Sequence, residues 1–330
     1  MKAKSVIIIG AGVGGLTAAI HLARRGLQVT VVEKNARPGG RCDRFSSRGH
    51  HFDTGPTLLV MPRLYEAEFR ALGTSLHDQV DLQRVDPTYH LVFDDGSQLA
   101  LTSDLKSLQQ QLENFQTGSF HGLLRYLKEG ERHDQIGIDR LVNRDSPKAS
   151  AFSTLRTLPL IYTLKPLLHH YSHMSAYFDD PRLKSAFTFQ DVYMGLSPFK
   201  APATFSLMPY TELAHGVWYP RGGMYALVEA IFEMACQAGV EFSFHTSVEQ
   251  IEIQSGRARG VRLAGGARLE ADILLANADL PYVYQELLPP DGAGEKLNRK
   301  QFSCSVISFF WGVDKVYENL GPHTLFLAED

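Results

Sequence analysis

Hydrophobic and polar positions follow a clear pattern at the start of the 330-residue chain. Residues 6–9 form an unbroken apolar run, which is typical of a strand buried on both faces. Residues 16–25 have helical spacing, and Gly26 stands where helices commonly end, because glycine takes left-handed dihedral angles at low cost. Residues 29–32 are a second apolar run. The pattern predicts strand, helix and strand.

The middle of the chain is apolar in a different way. Residues 151–220 hold 13 of the 34 aromatic residues but 9 of the 69 charged ones, which indicates a deep core or the wall of an apolar tunnel. Within this region, residues 153–178 predict one or two apolar helices whose charged residues are Arg156 and Lys165. Such helices could pack in a core or lie in the headgroup region of a bilayer, and the pattern fits both.

Polar signals flank this apolar region. Residues 127–148 carry ten charges in 22 positions and predict a solvated helix to which we assign no chemistry. His169 and His173 would share one face of a helix, as metal ligands do, but no carboxylate or cysteine partner is evident, which favours packing over metal binding. Asp180 followed by Pro181 predicts the start of another helix.

The last third returns to regular alternation. Residues 222–238 predict a helix that Gly239 ends, and residues 240–253 alternate as a strand does. Turns at SGR and AGGA then predict two more strands, the last of which ends in ILLANAD, so that the helix is followed by a three-stranded meander. Residues 302–311 predict a further strand.

The turn between the first predicted strand and helix contains a candidate binding site. Gly10, Gly12 and Gly15 fit the pattern G-x-G-x-x-G between a strand and a helix, and Glu33 follows 18 residues after the third glycine. This is the setting of a dinucleotide site: the glycines allow close approach of the pyrophosphate, the helix N-terminus favours its charge, and the acid accepts hydrogen bonds from a ribose. The chain is therefore predicted to bind a dinucleotide.

The next stretch indicates which dinucleotide. In EKNARPGGR, Gly39 and Gly40 let a loop pass close to a ligand, and Arg41 can pair with pyrophosphate oxygens. An NAD site needs no such loop directly after the ribose acid. The turn at residues 53–57, DTGPT, offers free backbone groups to the edge of a flat ring.

These strings resemble a known family. GAGVGGL, EKNARPGGR and FDTGPT are similar to segments of the FAD-dependent carotenoid desaturases, the bacterial and fungal phytoene desaturases among the amine-oxidase-like flavoproteins. GLSPFKAPATFSL, ELAHGVWYPRGG and ADILLANADL resemble later segments of that family in the same order. WYPRGG is the most family-specific of them. The resemblance covers nearly the whole chain and is weakest over residues 74–150.

The resemblance implies an α/β fold with a discontinuous Rossmann-type FAD-binding domain, residues 1–85 and 216–285. An α+β substrate domain, residues 86–215 and 286–330, would carry apolar helices that dock on a membrane. The cofactor would be FAD, and its implied site residues are Gly10, Gly12, Gly14, Gly15, Glu33, Lys34, Gly40, Arg41, Gly55, Pro56, Thr57 and Val248, the last through its backbone at the adenine.

The implied reaction is desaturation of a C–C bond beside a polyene such as phytoene. Hydride would pass to the flavin and a neighbouring proton would be lost, while the conjugated system spreads the developing charge and lessens the need for a strong base. The apolar region offers no evident His/Asp dyad, so Arg156 and Arg221 are the candidate catalytic residues. The family's C-terminal glycine- and proline-rich FAD segment is not recognisable, so we expect an N-terminal part of a longer enzyme.

Composition argues against several classes of function. A net charge of −3 gives no broad basic field for nucleic acid, and Cys42, Cys236 and Cys304 are too scattered for a disulfide framework or a zinc site. No apolar stretch reaches the ~18 residues that span a bilayer. The three scattered cysteines favour a reducing cytoplasm, and the resemblance implies peripheral association with a membrane. Two other functions remain open: a flavin amine oxidase, and a non-catalytic flavoprotein remnant.

Overall fold

A computed structural model of the chain describes residues 4–138, 162–290, 292–300 and 302–328. Two compact units are present. The first unit comprises Met1–Leu59, Arg63–Gln83 and Tyr219–Phe302, and the second comprises Val60–Pro62, Arg84–Trp218 and Ser303–Asp330.

The strands of the described residues are numbered in chain order. They are β1 Ser5–Ile9, β2 Gln28–Val32, β3 Arg44–Ser47, β4 His50–Asp53, β5 Leu82–Val85, β6 Tyr89–Phe93, β7 Gln98–Leu101, β8 Val217–Pro220, β9 Glu241–Ser243, β10 Val248–Gln254, β11 Arg257–Leu263, β12 Arg268–Glu270, β13 Ile273–Ala276 and β14 Thr324–Leu327.

Helices connect these strands. They are α1 Val13–Arg24, α2 Pro62–Ala71, α3 Leu76–Gln79, α4 Leu105–Phe115, α5 Ser119–Gly137, α6 His170–Met174, α7 Pro181–Ala186, α8 Leu207–His215, α9 Tyr225–Gln237, α10 Leu280–Tyr282 and α11 Ala293–Asn298. Short 3₁₀ segments lie at Phe189–Met194 and Ala203–Ser206, and a π turn at Val283–Leu287 continues α10.

The first unit is built on a four-stranded sheet in the order β13-β1-β2-β9, with every pair parallel. The predicted strand, helix and strand at its start are confirmed, as are Gly26, whose φ is +80°, and helix α9 with Gly239 after it. Ile7 and Ile9 join a cluster with Val248 and Ile251 of β10, which fixes β10 beside the sheet.

The meander differs from its prediction. Residues 240–253 form two strands rather than one: β9 extends the parallel sheet, and β10 begins the antiparallel sheet β10-β11-β12. The ILLA strand, β13, pairs in parallel with β1 instead of closing the meander. Side-chain alternation is the same in both kinds of sheet, so it could not indicate which partner each strand takes.

In the second unit, the sheet β14-β6-β7 joins an antiparallel hairpin to a strand parallel to β6. Helix α5 packs closely on α8, since a Cβ at Gly130 would lie 2.6 Å from the Tyr210 side chain. The described part of the charged segment 127–148 lies in α5 and is not simply solvated, because His133 and Asp134 are buried. The predicted Asp180 cap is confirmed: its carboxylate accepts the Arg182 N–H at 2.8 Å.

The strand predicted at residues 302–311 is wrong over its described residues. They carry no regular structure, and Val306, Ile307 and Phe309 are at least 73% exposed. A strand requires a neighbour for its backbone groups, which an apolar pattern alone does not supply. The strand of this region is β14, further along the chain.

None of the described helices is both long and apolar enough to cross a bilayer. The predicted apolar helices of residues 153–178 lie partly outside the described residues, and their described part contains α6.

Candidate functional site

The glycine loop between β1 and α1 lies against Asn277, which directly follows the neighbouring strand β13. The Asn277 side chain donates to the Gly10 carbonyl at 3.2 Å, and its amide nitrogen would lie 2.8 Å from a Cβ at Gly15. That same Cβ would lie 2.2 Å from the Gly10 oxygen, so any larger residue would push the loop and Asn277 apart. No side chain caps the first turn of α1, where Gly12 is the N-cap, so its backbone N–H groups are available to an anion.

Glu33 directly follows β2, and backbone groups hold its buried carboxylate. One oxygen accepts the Ala11 N–H at 2.7 Å, the other accepts the Asn35 N–H at 2.8 Å, and 5% of the residue is exposed. Its main chain is fixed too, because the Glu33 N–H donates to Ser243 and its carbonyl accepts from Thr246. A carboxylate oxygen accepts more than one hydrogen bond, so Glu33 can also accept from a sugar hydroxyl.

A second loop closes over the first. The Gly39 N–H donates to the Ala11 carbonyl at 2.9 Å, and Gly12 and Gly39 form a parallel bridge. Gly40 has a φ of +61°, and a Cβ there would lie 3.2 Å from the Gly12 Cα. Both conditions favour glycine at this close approach.

Charged groups stand at the rim of this pair of loops. Arg41 pairs with Asp279 at 2.5 Å, and both side chains are mostly exposed. The Lys34 amine lies 5.9 Å from the centre of the Tyr282 ring. Because this ion pair is exposed, another anion can compete with Asp279 for the Arg41 guanidinium.

Two of the motifs behind the family resemblance meet in the structure. Asp53, from FDTGP, accepts the Met224 N–H and the Tyr219 hydroxyl, each at 2.9 Å, and so caps the start of helix α9 after WYPRGG. A Cβ at Gly223, whose φ is +100°, would lie 3.0 Å from the Asp53 carboxylate. The Asp53 carboxylate therefore supports α9 rather than facing a ligand.

These elements line a cleft of about 920 Å³ within the first unit. It lies at the carboxyl ends of β1, β2 and β13, where open α/β sheets bind ligands. Burial, together with Asp53 and Asp43, raises the pKa of the Cys42 thiol in its wall to about 11, so this thiol stays protonated at neutral pH. A cleft of this volume with an uncapped helix N-terminus, a buried acceptor and a rim cation fits a dinucleotide such as FAD.

The structure brings many of the predicted residues together. Those that line the cleft are Gly10, Gly12, Gly14, Glu33, Lys34, Gly40, Arg41, Pro56 and Val248. Gly15 lies behind the loop, and Gly55 packs on the Arg41 carbonyl. Thr57 is exposed beside them and does not line the cleft. Their roles toward the cofactor stay predictions.

Of the two candidate catalytic arginines, the described residues include Arg221. Arg221 forms an exposed ion pair with Asp81 at 2.6 Å and is not a cleft-lining residue. Arg156 lies outside the described residues. Sequence reasoning missed Asn277 and Asp279, although both stand in ANADL directly after a strand, which is a signal that could have found them.

The second unit corrects two predictions about its polar residues. His170 and Asp191, both fully buried, form a His/Asp pair at 2.9 Å in the region where the sequence offered no evident dyad. His173 also has a carboxylate partner, since its Nε2 lies 2.6 Å from Glu129, which accepts from Lys165 at the same distance. Among the described residues, no cluster of histidine, cysteine and carboxylate groups could hold a metal ion.

Comparison with known proteins agrees with this site. The sequence model of the family described as flavin containing amine oxidoreductase matches residues 13–303. The chain belongs to this family. This match confirms the wider family to which the sequence resemblance pointed. It also confirms the prediction that the cofactor is a flavin, FAD.

Two relatives have names that specify an activity more closely than the family description does. The chain is 40% identical to a phytoene desaturase of Fusarium fujikuroi over 99% of this chain and 58% of that protein. It is 38% identical to a zeta-carotene-forming phytoene desaturase of Myxococcus xanthus over 100% of this chain and 64% of that protein. The chain thus spans about three fifths of the length of these relatives. An oxidoreductase from Methanosarcina mazei, 17% identical, shares the fold with a TM-score of 0.59 over 89% of this chain and 64% of that one.

Proposed function

We propose that this chain is part of an FAD-dependent desaturase that introduces C–C double bonds into a carotenoid precursor such as phytoene. The observation that carries the proposal is identity of 40% with a phytoene desaturase over almost the whole chain. The cleft of the first unit is consistent with it, because desaturation by hydride removal needs an oxidant that accepts two electrons. No described feature favours an amine substrate.

The first unit would hold the cofactor through four contacts. The α1 N-terminus and Arg41 face the pyrophosphate, Glu33 accepts from the adenosine ribose, and the Val248 backbone binds the adenine. Phosphate would compete with Asp279 for Arg41, since both are anions at the same rim. Bound FAD supplies the hydride acceptor for the reaction.

Arg156 and Arg221 remain the predicted catalytic residues of the apolar substrate site. The exposed ion pair between Arg221 and Asp81 suits a residue that holds the chain in place just before α9. A polyene needs few polar contacts for orientation, so the substrate site is expected to be mainly apolar.

We also propose that the second unit associates peripherally with a membrane on the cytoplasmic side. Leu167, Leu168 and Phe199 are at least half exposed, and the Leu168 carbonyl accepts the Ala203 N–H, which holds the two segments side by side. A polyene is stored in lipid, so an apolar surface on the enzyme would shorten its transfer. We expect the strongest docking from residues 153–168, of which residues 153–161, including Leu158, Leu160 and Ile161, lie outside the described residues.

The test is anaerobic reduction of the flavin. Protein carrying this chain, loaded with FAD, is mixed with phytoene in liposomes and separately with putrescine. We expect flavin bleaching and products of longer absorption wavelength with phytoene, and no bleaching with putrescine. Bleaching by the amine alone would reject the desaturase in favour of an amine oxidase. Leu167→Asp should reduce pelleting with the liposomes, and Leu320→Asp, at an exposed leucine of the same unit, should not.

A further inference from the structure

A pocket of about 350 Å³ lies within the second unit and shares no described lining residue with the cleft of the first unit. Helices α4, α5 and α8 supply most of its wall, and Arg84 of β5 and the residues after β7 supply the rest. Small-molecule sites commonly have volumes of about 300–1,000 Å³. The pocket is therefore large enough for one narrow ligand but not for a lipid with two long chains.

Leucine side chains make most of this wall apolar. Leu108 and Leu123 are fully buried, whereas Leu105, at the start of α4, is 51% exposed. The apolar lining therefore reaches from the interior of the unit to its surface, which suits a hydrocarbon chain that enters from solvent. The leucines that line the pocket are Leu105, Leu108, Leu123, Leu127 and Leu213.

Close helix packing holds this wall in place. Tyr210 of α8, which lines the pocket, packs against Gly130 of α5, where a Cβ would lie 2.6 Å from the tyrosine side chain. The Tyr210 ring also lies 5.9 Å from the ring of His215. These contacts set the separation of α5 and α8, so the space between their leucines is part of the packing of the unit.

One cation lines the pocket together with these leucines. The Arg84 side chain lies over Gly216, the C-cap of α8, since a Cβ at Gly216 would lie 2.9 Å from Arg84 Nε. The carbonyl end of a helix favours a nearby cation, which helps to keep the guanidinium there. Among the residues that the structure describes, Arg84 forms no hydrogen bond or ion pair, so its fork of N–H groups can bind a carboxylate through two parallel hydrogen bonds.

The acid closest to Arg84 in sequence, Asp86, has other partners. Its two carboxylate oxygens accept the Ser103 N–H at 3.0 Å and the Ser103 hydroxyl at 2.9 Å. Burial raises the Asp86 pKa, but hydrogen bonds from Ser103 and Thr102 and the charge of Arg84 outweigh that effect and lower it. Asp86 is therefore ionised at neutral pH and weakens the field of Arg84, but it does not occupy the guanidinium donors.

We propose that this pocket binds a single-chain anionic amphiphile, such as a free fatty acid, with its carboxylate on Arg84 and its hydrocarbon chain along the leucines. Neither half of the site selects this ligand alone: a small anion would leave the apolar wall empty, and a neutral hydrocarbon would leave Arg84 unpaired. The site does not rest on the proposed function, because none of its residues takes part in holding FAD. A bound chain would contact α4, α5 and α8 together and stabilise the second unit.

The experiment is isothermal titration of protein carrying this chain, loaded with FAD, with octanoate, octanol and acetate. We expect one octanoate per chain, bound at least tenfold more tightly than octanol and at least 100-fold more tightly than acetate, since each buried CH₂ group strengthens binding about fourfold. Octanol that binds as tightly as octanoate would reject Arg84 as the anion site. Acetate that binds as tightly would reject the apolar wall.

Variants at the surface of the pocket locate the ligand without disturbing its core. Arg84→Gln should weaken octanoate binding at least tenfold, and Leu105→Asp should do the same by placing a like charge beside the carboxylate. Arg132→Gln is the matched control, because Arg132 is an exposed cation of α5 that does not line the pocket. Octanoate should raise the melting temperature of the wild type and the control but not of Arg84→Gln. Wild-type affinity in both pocket variants would overturn the proposal.

Two further comparisons separate this site from the other proposals. Leu167→Asp removes a proposed membrane contact and should leave the octanoate affinity unchanged. If it weakens octanoate binding as much as Arg84→Gln does, the probe binds the membrane-docking surface and the pocket is rejected. The titration needs no turnover, so failure of phytoene to reduce the flavin would reject the proposed function and leave the binding result as it stands.

Discussion

Glu33 and Glu212 are both carboxylates of 5% exposure, one in each unit, and they differ in what donates to them. Glu33 accepts from the backbone N–H groups of Ala11 and Asn35, whereas Glu212 accepts from a tyrosine hydroxyl and a glutamine side chain. A backbone amide fixes a charge in place but does not hand on its proton, whereas a hydroxyl can do so. The main chain therefore holds Glu33 as a fixed acceptor, whereas neutral side chains hold Glu212.

The largest effect should follow loss of the backbone-held carboxylate. Glu33→Ala leaves the Ala11 and Asn35 N–H groups without their acceptor and should lower the free energy of unfolding by about 4 kcal/mol, with loss of bound FAD. Urea titration and flavin absorbance measure the two effects. Glu249→Ala, at an exposed glutamate of the same unit, should change neither. A variant as stable as the wild type would show that the loop does not depend on Glu33.

Glu129 adds a third kind of carboxylate, because charged partners surround it. Burial raises its pKa, but hydrogen bonds from His173 and Lys165 outweigh that effect and lower it to about 2. The resulting stabilisation, about 3 kcal/mol, should be present above about pH 4.5 and be lost as pH falls toward 2. The difference in unfolding free energy between the wild type and Glu129→Gln should therefore be largest above about pH 5 and disappear only as the pH falls to about 2.

Glu212→Gln should change stability with the opposite dependence on pH. The Glu212 pKa, which burial raises, favours the folded state below about pH 4.5 and ceases to do so as pH rises through about 7. The variant should therefore gain stability relative to the wild type between pH 5 and pH 8. The same pH trend in both variants would contradict the contrast between the two sites.

A smaller effect should follow changes at the rim. Arg41→Ala should weaken FAD binding about tenfold, because one charge-assisted contact with phosphate is removed. Asp279→Ala should leave binding unchanged or tighten it, most clearly at low ionic strength, since it frees the guanidinium. Isothermal titration at two salt concentrations measures both. Equal weakening by the two variants would mean that the ion pair itself, not Arg41, contacts the cofactor.

The smallest effect should come from Arg221. If its role is the exposed pair with Asp81, then Arg221→Ala and Asp81→Ala should each cost less than about 1 kcal/mol of stability and leave flavin content unchanged. Thermal unfolding and absorbance spectra compare the two variants. Loss of flavin or turnover in the arginine variant alone would support the predicted catalytic role.

Local features were predictable from the sequence because neighbouring residues decide them. The opening strand, helix and strand, helix α9, and the Asp180 cap depend on periodicity, glycine and proline over short stretches. Partners far along the chain were not predictable in this way. Asn277 meets Gly10 across 267 residues, and Tyr89 meets Glu212 across 123, so no local pattern joins them.

The missed histidine pairs have the same cause. His173 was interpreted as a packing residue and His170 carried no prediction, since their carboxylate partners lie 44 and 21 positions away on other elements. The wrong strand at residues 302–311 shows the converse: an apolar pattern without a pairing partner does not form a strand. Periodicity predicts which face of an element is buried, but the partner depends on topology.

The contact between Gly10 and Asn277 has a consequence for biosynthesis. At about 5–20 residues per second, a ribosome needs roughly 15 to 50 s to make the 267 residues that separate them. During that time β1 lacks its partner β13, and the glycine loop lacks the side chain that packs on it. Nascent chains are therefore expected to load flavin late in translation and to expose an unpaired strand edge to chaperones until then.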